Sequence, residues 1–146
     1  MQEIFRWTSV ALFSALSLFM LWFGYVYASV TDMLWFHGAA VPAELHQQIL
    51  PLYLALMNLI GGSSFAVGLL AAYIALFPLR RGATWAAGVL LVGFALVFIM
   101  AAITAEELAA ATGAPTSWHI MGVLSAVAAA GFLAHLVATH SASKNA

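Results

Sequence analysis

The chain has 146 residues, of which 65% are hydrophobic and only 6% are charged, and its mean hydropathy is +1.05. A soluble domain carries about 25% charged residues, so this composition excludes a soluble enzyme and a disordered tail. Four cationic side chains are too few for the extended basic patch that binds a nucleic-acid backbone, which excludes nucleic acid as a partner, and the lack of cysteine excludes disulfides and cysteine-ligated metals. These exclusions indicate an integral membrane protein, with the lipid bilayer as its first partner.

Four apolar stretches are each long enough to cross the hydrocarbon core, which takes about 20 residues of helix. They cover about residues 8–30, 52–77, 84–105 and 117–139. Continuous runs of this length favour helices over the short alternating strands of a membrane β-barrel. The second helix is predicted to begin earlier, near residue 43, because Pro42 suits a first helical position. We therefore predict an all-α fold, a single membrane domain over residues 1–146 that forms a four-helix bundle.

Charged residues separate by sign along the chain, except that Glu3 lies on the same side as the cationic residues. The cationic residues lie at the two termini and in the second connection: Arg6, Arg80, Arg81 and Lys144. The acidic residues of the first and third connections are Asp32, Glu44, Glu106 and Glu107. Because cytoplasmic segments carry the excess of Lys and Arg, we expect both termini in the cytoplasm and the acidic connections outside.

Small residues recur on one face of two helices, and helices in lipid associate through such residues and through polar contacts. The fourth helix has them every four residues, at Gly122, Ala126, Ala130 and Ala134. The second helix has Gly61, Ser64, Gly68 and Ala72 on one side. These two stripes predict the contact faces of the bundle, and they leave open a homodimer or a larger membrane complex.

Histidines and carboxylates collect at the predicted outer ends of the helices: Asp32, His46, Glu106, Glu107 and His119. His119 falls within about 60° of the small-residue stripe of the fourth helix, so we expect it to point into the bundle, as we expect of His46. Imidazole and carboxylate ligate zinc, manganese, iron and copper. The five residues predict a site for a divalent metal, a lipid headgroup or a small polar ligand, and therefore a binding or accessory protein.

Three alternatives stay open. The same groups could be interfacial ones that contact only water, headgroups and one another. His46 and His119 are the one pair of histidines at a common depth that could ligate haem b. The second alternative is therefore a metal- or haem-dependent enzyme or redox subunit. Asn58, the one strongly polar residue deep in a span, lies close to Gly61-Gly62. It indicates either an interhelical hydrogen bond or, as the third alternative, a small-solute transporter.

Two stretches resemble the small four-helix membrane proteins called DoxX-like. They are ALMNLIGG at residues 55–62 and PLRRGATWA at residues 78–86. The resemblance implies a bundle of the bacterial inner membrane, in a group sometimes associated with quinone or sulfur redox partners. It assigns no site residue in this chain.

Overall fold

The computed structural model describes residues 2–143 and the side chains of residues 2–140, so Lys144 lies outside the described residues. Within them the chain is helical and has no strand. The helices are α1 (Gln2–Ala28), α2 (Trp35–Gly38), α3 (His46–Ile74), α4 (Thr84–Thr112) and α5 (His119–Ser143). A 3₁₀ turn, Ala43–Leu45, leads into α3, and a π-helical turn, Ala75–Leu79, follows it.

The predicted all-α bundle of four long helices is confirmed. Helices α1, α3 with its flanking turns, α4 and α5 are each long and apolar enough to cross a membrane. The predicted start of the second helix near residue 43 coincides with the 3₁₀ turn. Helix α4 runs beyond its predicted end, through Glu106 and Glu107, because it stops only at Gly113, whose φ of 72° is left-handed. Glycine favours this conformation, which commonly ends a helix.

Helix α1 is central in the bundle. It packs against both α3 and α5, and α4 packs against α5. Stacked rings of Phe13, Phe94 and Phe98 join α1 to α4 in the core. Helices α3 and α4 are neighbours in sequence but make few direct contacts. An apolar groove of about 180 Å³ lies between them.

Glycines bring α1 and α3 into backbone contact. A Cβ atom on Gly24 would lie 2.6 Å from the backbone nitrogen of Phe65 and 2.7 Å from the carbonyl oxygen of Gly61. A Cβ atom on Gly61 would lie 2.7 Å from the carbonyl oxygen of Gly24. Gly61, Ser64 and Gly68 are buried, and Ala72 is half-buried. The predicted contact face of this helix is therefore confirmed.

The predicted contact face of α5 is largely wrong. Of its four members, Ala134 is buried and Gly122 half-buried, whereas Ala126 and Ala130 are exposed. The buried face instead carries Ala128, Gly131, Ala134, His135 and Ala138. The physical reason is on α1, where the Phe13 ring would lie 3.2 Å from a Cβ atom on Gly131. A bulky ring on the neighbouring helix thus selects which small residues of α5 face inward.

Candidate functional site

The two ends of the bundle differ in charge. We call the end that carries Asp32, Glu44, Glu106 and Glu107 the acidic end, and the end that carries Arg6, Arg80 and Arg81 the arginine end. The predicted site belongs to the acidic end. A polar cavity lies at the arginine end.

The five predicted site residues lie at the acidic end but are not grouped as metal ligands in the described part of the chain. Asp32, Glu106, Glu107 and His119 are exposed, and His46 is half-buried. In the described part of the chain, no three His, Asp or Glu residues are grouped so that they could hold a metal ion. The predicted inward direction of His119 is wrong, because its side chain is exposed and stacks on Trp118 with ring centroids 4.5 Å apart. The prediction depends on the small-residue face Gly122, Ala126, Ala130 and Ala134 of α5, and two of these four residues are exposed.

His46 holds the connection between α1 and α3 in place. Its Nε2 atom lies 3.2 Å from the carbonyl oxygen of Gly38 and 3.0 Å from that of Val41. Because carbonyl oxygens only accept hydrogen bonds, this nitrogen carries the proton and donates it. Only Nδ1 of His46 is left for the predicted metal or haem ligation.

The residues behind the transport alternative do not form a helix break: Asn58 and Gly62 are exposed, whereas Gly61 is buried against α1. Helix α3 is continuous across Gly61-Gly62. Asn58 is exposed, and the described chain provides no hydrogen bond to its side chain. The predicted interhelical hydrogen bond is therefore not formed within this part of the chain.

A histidine–tyrosine pair, which the sequence analysis did not place in the site, lies at the acidic end. The Tyr53 hydroxyl on α3 accepts a hydrogen bond from the Leu34 N–H at 3.2 Å and lies 2.9 Å from His37 Nδ1. A hydrogen bond joins the hydroxyl to this nitrogen, and the tautomer of His37 sets which of the two donates. Burial lowers the pKa of His37 below its ordinary value of 6.5. The pair fastens the α1–α3 connection to α3, and 16 residues separate its members, too far apart for a local motif.

Tyr53→Phe is expected to loosen this connection, because it removes the hydroxyl that hydrogen-bonds to both the Leu34 N–H and His37 Nδ1. A neutral hydrogen bond contributes about 0.5–1.5 kcal/mol, so amide exchange at Leu34 should become several-fold faster.

Acidification should also destabilise the connection between α1 and α3 in the unmodified protein. Because the His37 pKa is lower in the folded protein, its contribution to stability is complete above pH 6.5 and is lost as the pH falls below that value.

Tyr73→Phe is the matched control, since Tyr73 lies on the same helix and is 61% exposed. Hydrogen–deuterium exchange read at Leu34 compares the two variants. Equal exchange rates in both would show that the Tyr53 hydroxyl does not hold the connection.

The cavity at the arginine end has a volume of about 380 Å³. It lies between the start of α1, the α3–α4 turn and the end of α5. Its lining residues are Gln2, Arg6, Arg81, Gly82, Thr84, His135, Ala138 and Thr139. Two arginines, a histidine, a glutamine and two threonines thus line one space, and none of the lining residues is acidic.

The turn between α3 and α4 shapes this cavity. Gly82 has a φ of 86° with no atom within 4 Å of an added Cβ, so its backbone conformation rather than space favours glycine there. Arg80 is held outside the cavity, because its guanidinium lies over the Trp7 ring at 5.2 Å. Arg81, the next residue, lines the cavity.

His135 is the buried polar group of the cavity. Its side chain is 0% exposed, and neither ring nitrogen has a hydrogen-bond partner in the described chain. The Gly82 backbone lies beside the ring, but the geometry does not give a hydrogen bond. Arg6 Nε is also buried without a partner, and the terminal nitrogen of Arg6 lies 3.4 Å from the Glu3 carboxylate. Two unpaired buried groups around one cavity are unusual, because buried polar atoms are nearly always hydrogen-bonded.

Comparisons with models of protein families, with characterised proteins and with solved structures find no match to this chain. The resemblance to DoxX-like proteins therefore stays a prediction.

Proposed function

We propose that this chain is a membrane-embedded binding or accessory protein that takes an anionic group in the cavity at the arginine end. The observation that carries the proposal is His135, fully buried and without a hydrogen-bond partner in the described chain, in a cavity that two arginines also line. An anion would provide hydrogen-bond acceptors for the His135 ring and for Arg6 and Arg81. The outer His and carboxylate site predicted from the sequence has less support as a metal site, because no three of its residues are grouped as ligands in the described part of the chain.

The donors around the cavity favour a phosphate group. Guanidinium groups bind phosphate and carboxylate through paired N–H donors, and Arg6 and Arg81 provide two of them. The amide of Gln2 and the hydroxyl of Thr84 are further donors at the rim, where both residues are exposed. Phosphate has enough acceptor oxygens to contact several of these groups at once. A cation is disfavoured, because two arginines and no acidic residue line the cavity.

The cavity lies at a helix end, where the headgroups of a bilayer would lie. Exposed Trp7 and Trp85 flank the arginine end, as interfacial aromatic residues do. The phosphate could therefore come from a phospholipid headgroup or from free phosphate in the water. Both sources present the same oxygens to Arg6, Arg81 and His135.

We place the arginine end on the cytoplasmic side of a bacterial inner membrane, with both termini cytoplasmic. The support for this orientation is the excess of arginine at that end, since cytoplasmic segments are enriched in Lys and Arg. The resemblance to DoxX-like proteins supports the choice of membrane. The proposed ligand would then be drawn from the inner leaflet or from the cytoplasm.

Thermal unfolding in a phosphate-free, non-ionic detergent tests the proposal, because a ligand that binds the folded state raises the unfolding temperature. One arm adds inorganic phosphate, and the other adds a short-chain phosphatidylglycerol. Hydrogen bonds to charged groups contribute about 1.5–3 kcal/mol, so Arg6→Gln and Arg81→Gln should each weaken binding by about tenfold or more. Arg80→Gln is the matched control, since Arg80 lies over Trp7 and does not line the cavity.

Stabilisation by both compounds would identify a phosphate site, and stabilisation by the lipid alone would identify a headgroup site. The proposal fails if neither compound stabilises the protein. It also fails if the Arg80 variant loses as much affinity as the Arg6 and Arg81 variants.

A further inference from the structure

Asn58 places a carboxamide on the outer surface of α3 in the middle of a membrane span. It lies near the centre of the 37-residue span Ala43–Leu79. Its side chain is exposed, and the described chain gives it no hydrogen bond. Moving an amide from water into hydrocarbon without a hydrogen-bond partner is strongly unfavourable. A partner from outside this chain would therefore be stabilising at this depth.

The residues around Asn58 allow another helix to approach. Gly62 follows one turn later, and no atom lies within 4 Å of a Cβ added there. Ala66 follows after a further turn and is also exposed. Small residues at this four-residue spacing let helix backbones come close in lipid.

Helix α3 thus carries two glycine faces, about 100° apart around its axis. The Gly61 face is occupied inside the bundle, where it meets Gly24 of α1. The Gly62 face has the same small-residue spacing and an amide in addition, and it is turned away from the bundle. We call Asn58, Gly62 and Ala66 the outer α3 face.

We propose that the outer α3 face is the interface between two copies of this chain, in which Asn58 hydrogen-bonds to the Asn58 of the second copy. A carboxamide has both a carbonyl acceptor and N–H donors. Around a twofold axis each residue meets the same surface of its partner, so two amides satisfy each other where two like charges would repel. This self-complementarity is why we choose a second copy rather than a different protein.

Single-cysteine cross-linking of the protein reconstituted in liposomes tests this interface. The chain has no cysteine of its own, so any disulfide joins the introduced residues. Gly62→Cys retains Asn58 and should form a disulfide-linked dimer on mild oxidation. Gly88→Cys is the matched control on α4, because its added Cβ also meets no atom within 4 Å, and it should remain monomeric.

The role of Asn58 is measured by adding Asn58→Leu to the Gly62→Cys variant. Interhelical hydrogen bonds in membranes contribute about 0.6–2 kcal/mol, so the dimer association constant should fall by about three- to thirty-fold. Helicity by circular dichroism should stay unchanged, since Asn58 contributes no hydrogen bond within the described chain.

Three outcomes would overturn the proposal. One is cross-linking of Gly62→Cys no greater than that of Gly88→Cys. Another is a purified protein that is monomeric in liposomes by single-molecule counting, which would leave a different protein as the partner of Asn58. The third is a dimer whose association constant is unchanged by Asn58→Leu.

Discussion

Gly24→Ala and Gly61→Ala are each expected to destabilise the bundle strongly. The added Cβ would lie 2.6 Å from the Phe65 backbone nitrogen in the first variant and 2.7 Å from the Gly24 carbonyl oxygen in the second. Backbone atoms cannot rotate away as a side chain can, so α1 and α3 would have to separate along their contact. Overpacking of a well-filled interior costs about 1–3 kcal/mol, and we expect at least this loss. Titration with a denaturing detergent, followed by circular dichroism, measures it.

Gly88→Ala is the control for both variants, because the added methyl group meets no atom within 4 Å. It should leave the unfolding free energy unchanged or raise it slightly, since alanine favours helix more than glycine does. If all three variants unfold at the same denaturant concentration, the close crossing of α1 and α3 does not contribute to stability.

The second large effect is expected at His135, where removing a polar group should stabilise the ligand-free protein. A buried polar group without a partner costs about 1–3 kcal/mol, and His135 is 0% exposed with both ring nitrogens unpaired in the described chain. His135→Leu replaces the ring by an apolar side chain. The unfolding temperature should therefore rise without phosphate, while the stabilisation by a phosphate compound should be lost. A higher unfolding temperature without ligand, together with a loss of stabilisation by phosphate, is expected if His135 binds the anion at a cost to the stability of the empty protein.

His135→Gln is the companion variant, because it keeps a polar side chain in the same place. It should lack the gain in stability that His135→Leu shows. A lower unfolding temperature for His135→Leu without ligand would mean that the imidazole is satisfied in the folded protein. The proposed anion site would then lose its main support.

Much of the helical framework could be predicted from local sequence, because each span is a long apolar run. The end of α4 at Gly113 and the turn around Gly82 also follow from local backbone preference, since both glycines have positive φ. The inward face of α3 was predictable too, because Gly61, Ser64 and Gly68 place small residues along one side of the helix. These features depend on residues close together in the chain.

The candidate site could not be predicted in the same way. His119 and His135 differ by about 160° around α5, so a single helix cannot turn both rings inward. The small residues of α5 occur on several sides of the helix, and the choice between them depends on Phe13 of α1. Once Gly131 faces that ring, His135 is buried and His119 is exposed. The contact between His37 and Tyr53 likewise depends on how the α1–α3 connection folds over α3.

The sequence by itself determined that this protein has four long apolar helices and that its charges, Glu3 apart, separate by sign between the two ends. Helix length and charge placement are local properties, and lipid accepts an apolar helix whatever its neighbours are. The tertiary structure alone decided which histidine lies inside and which small residues touch. The physical reason is that all sides of a membrane helix are apolar. No polar–apolar division then marks the buried face, and the close fit of rings and glycines between helices selects it instead.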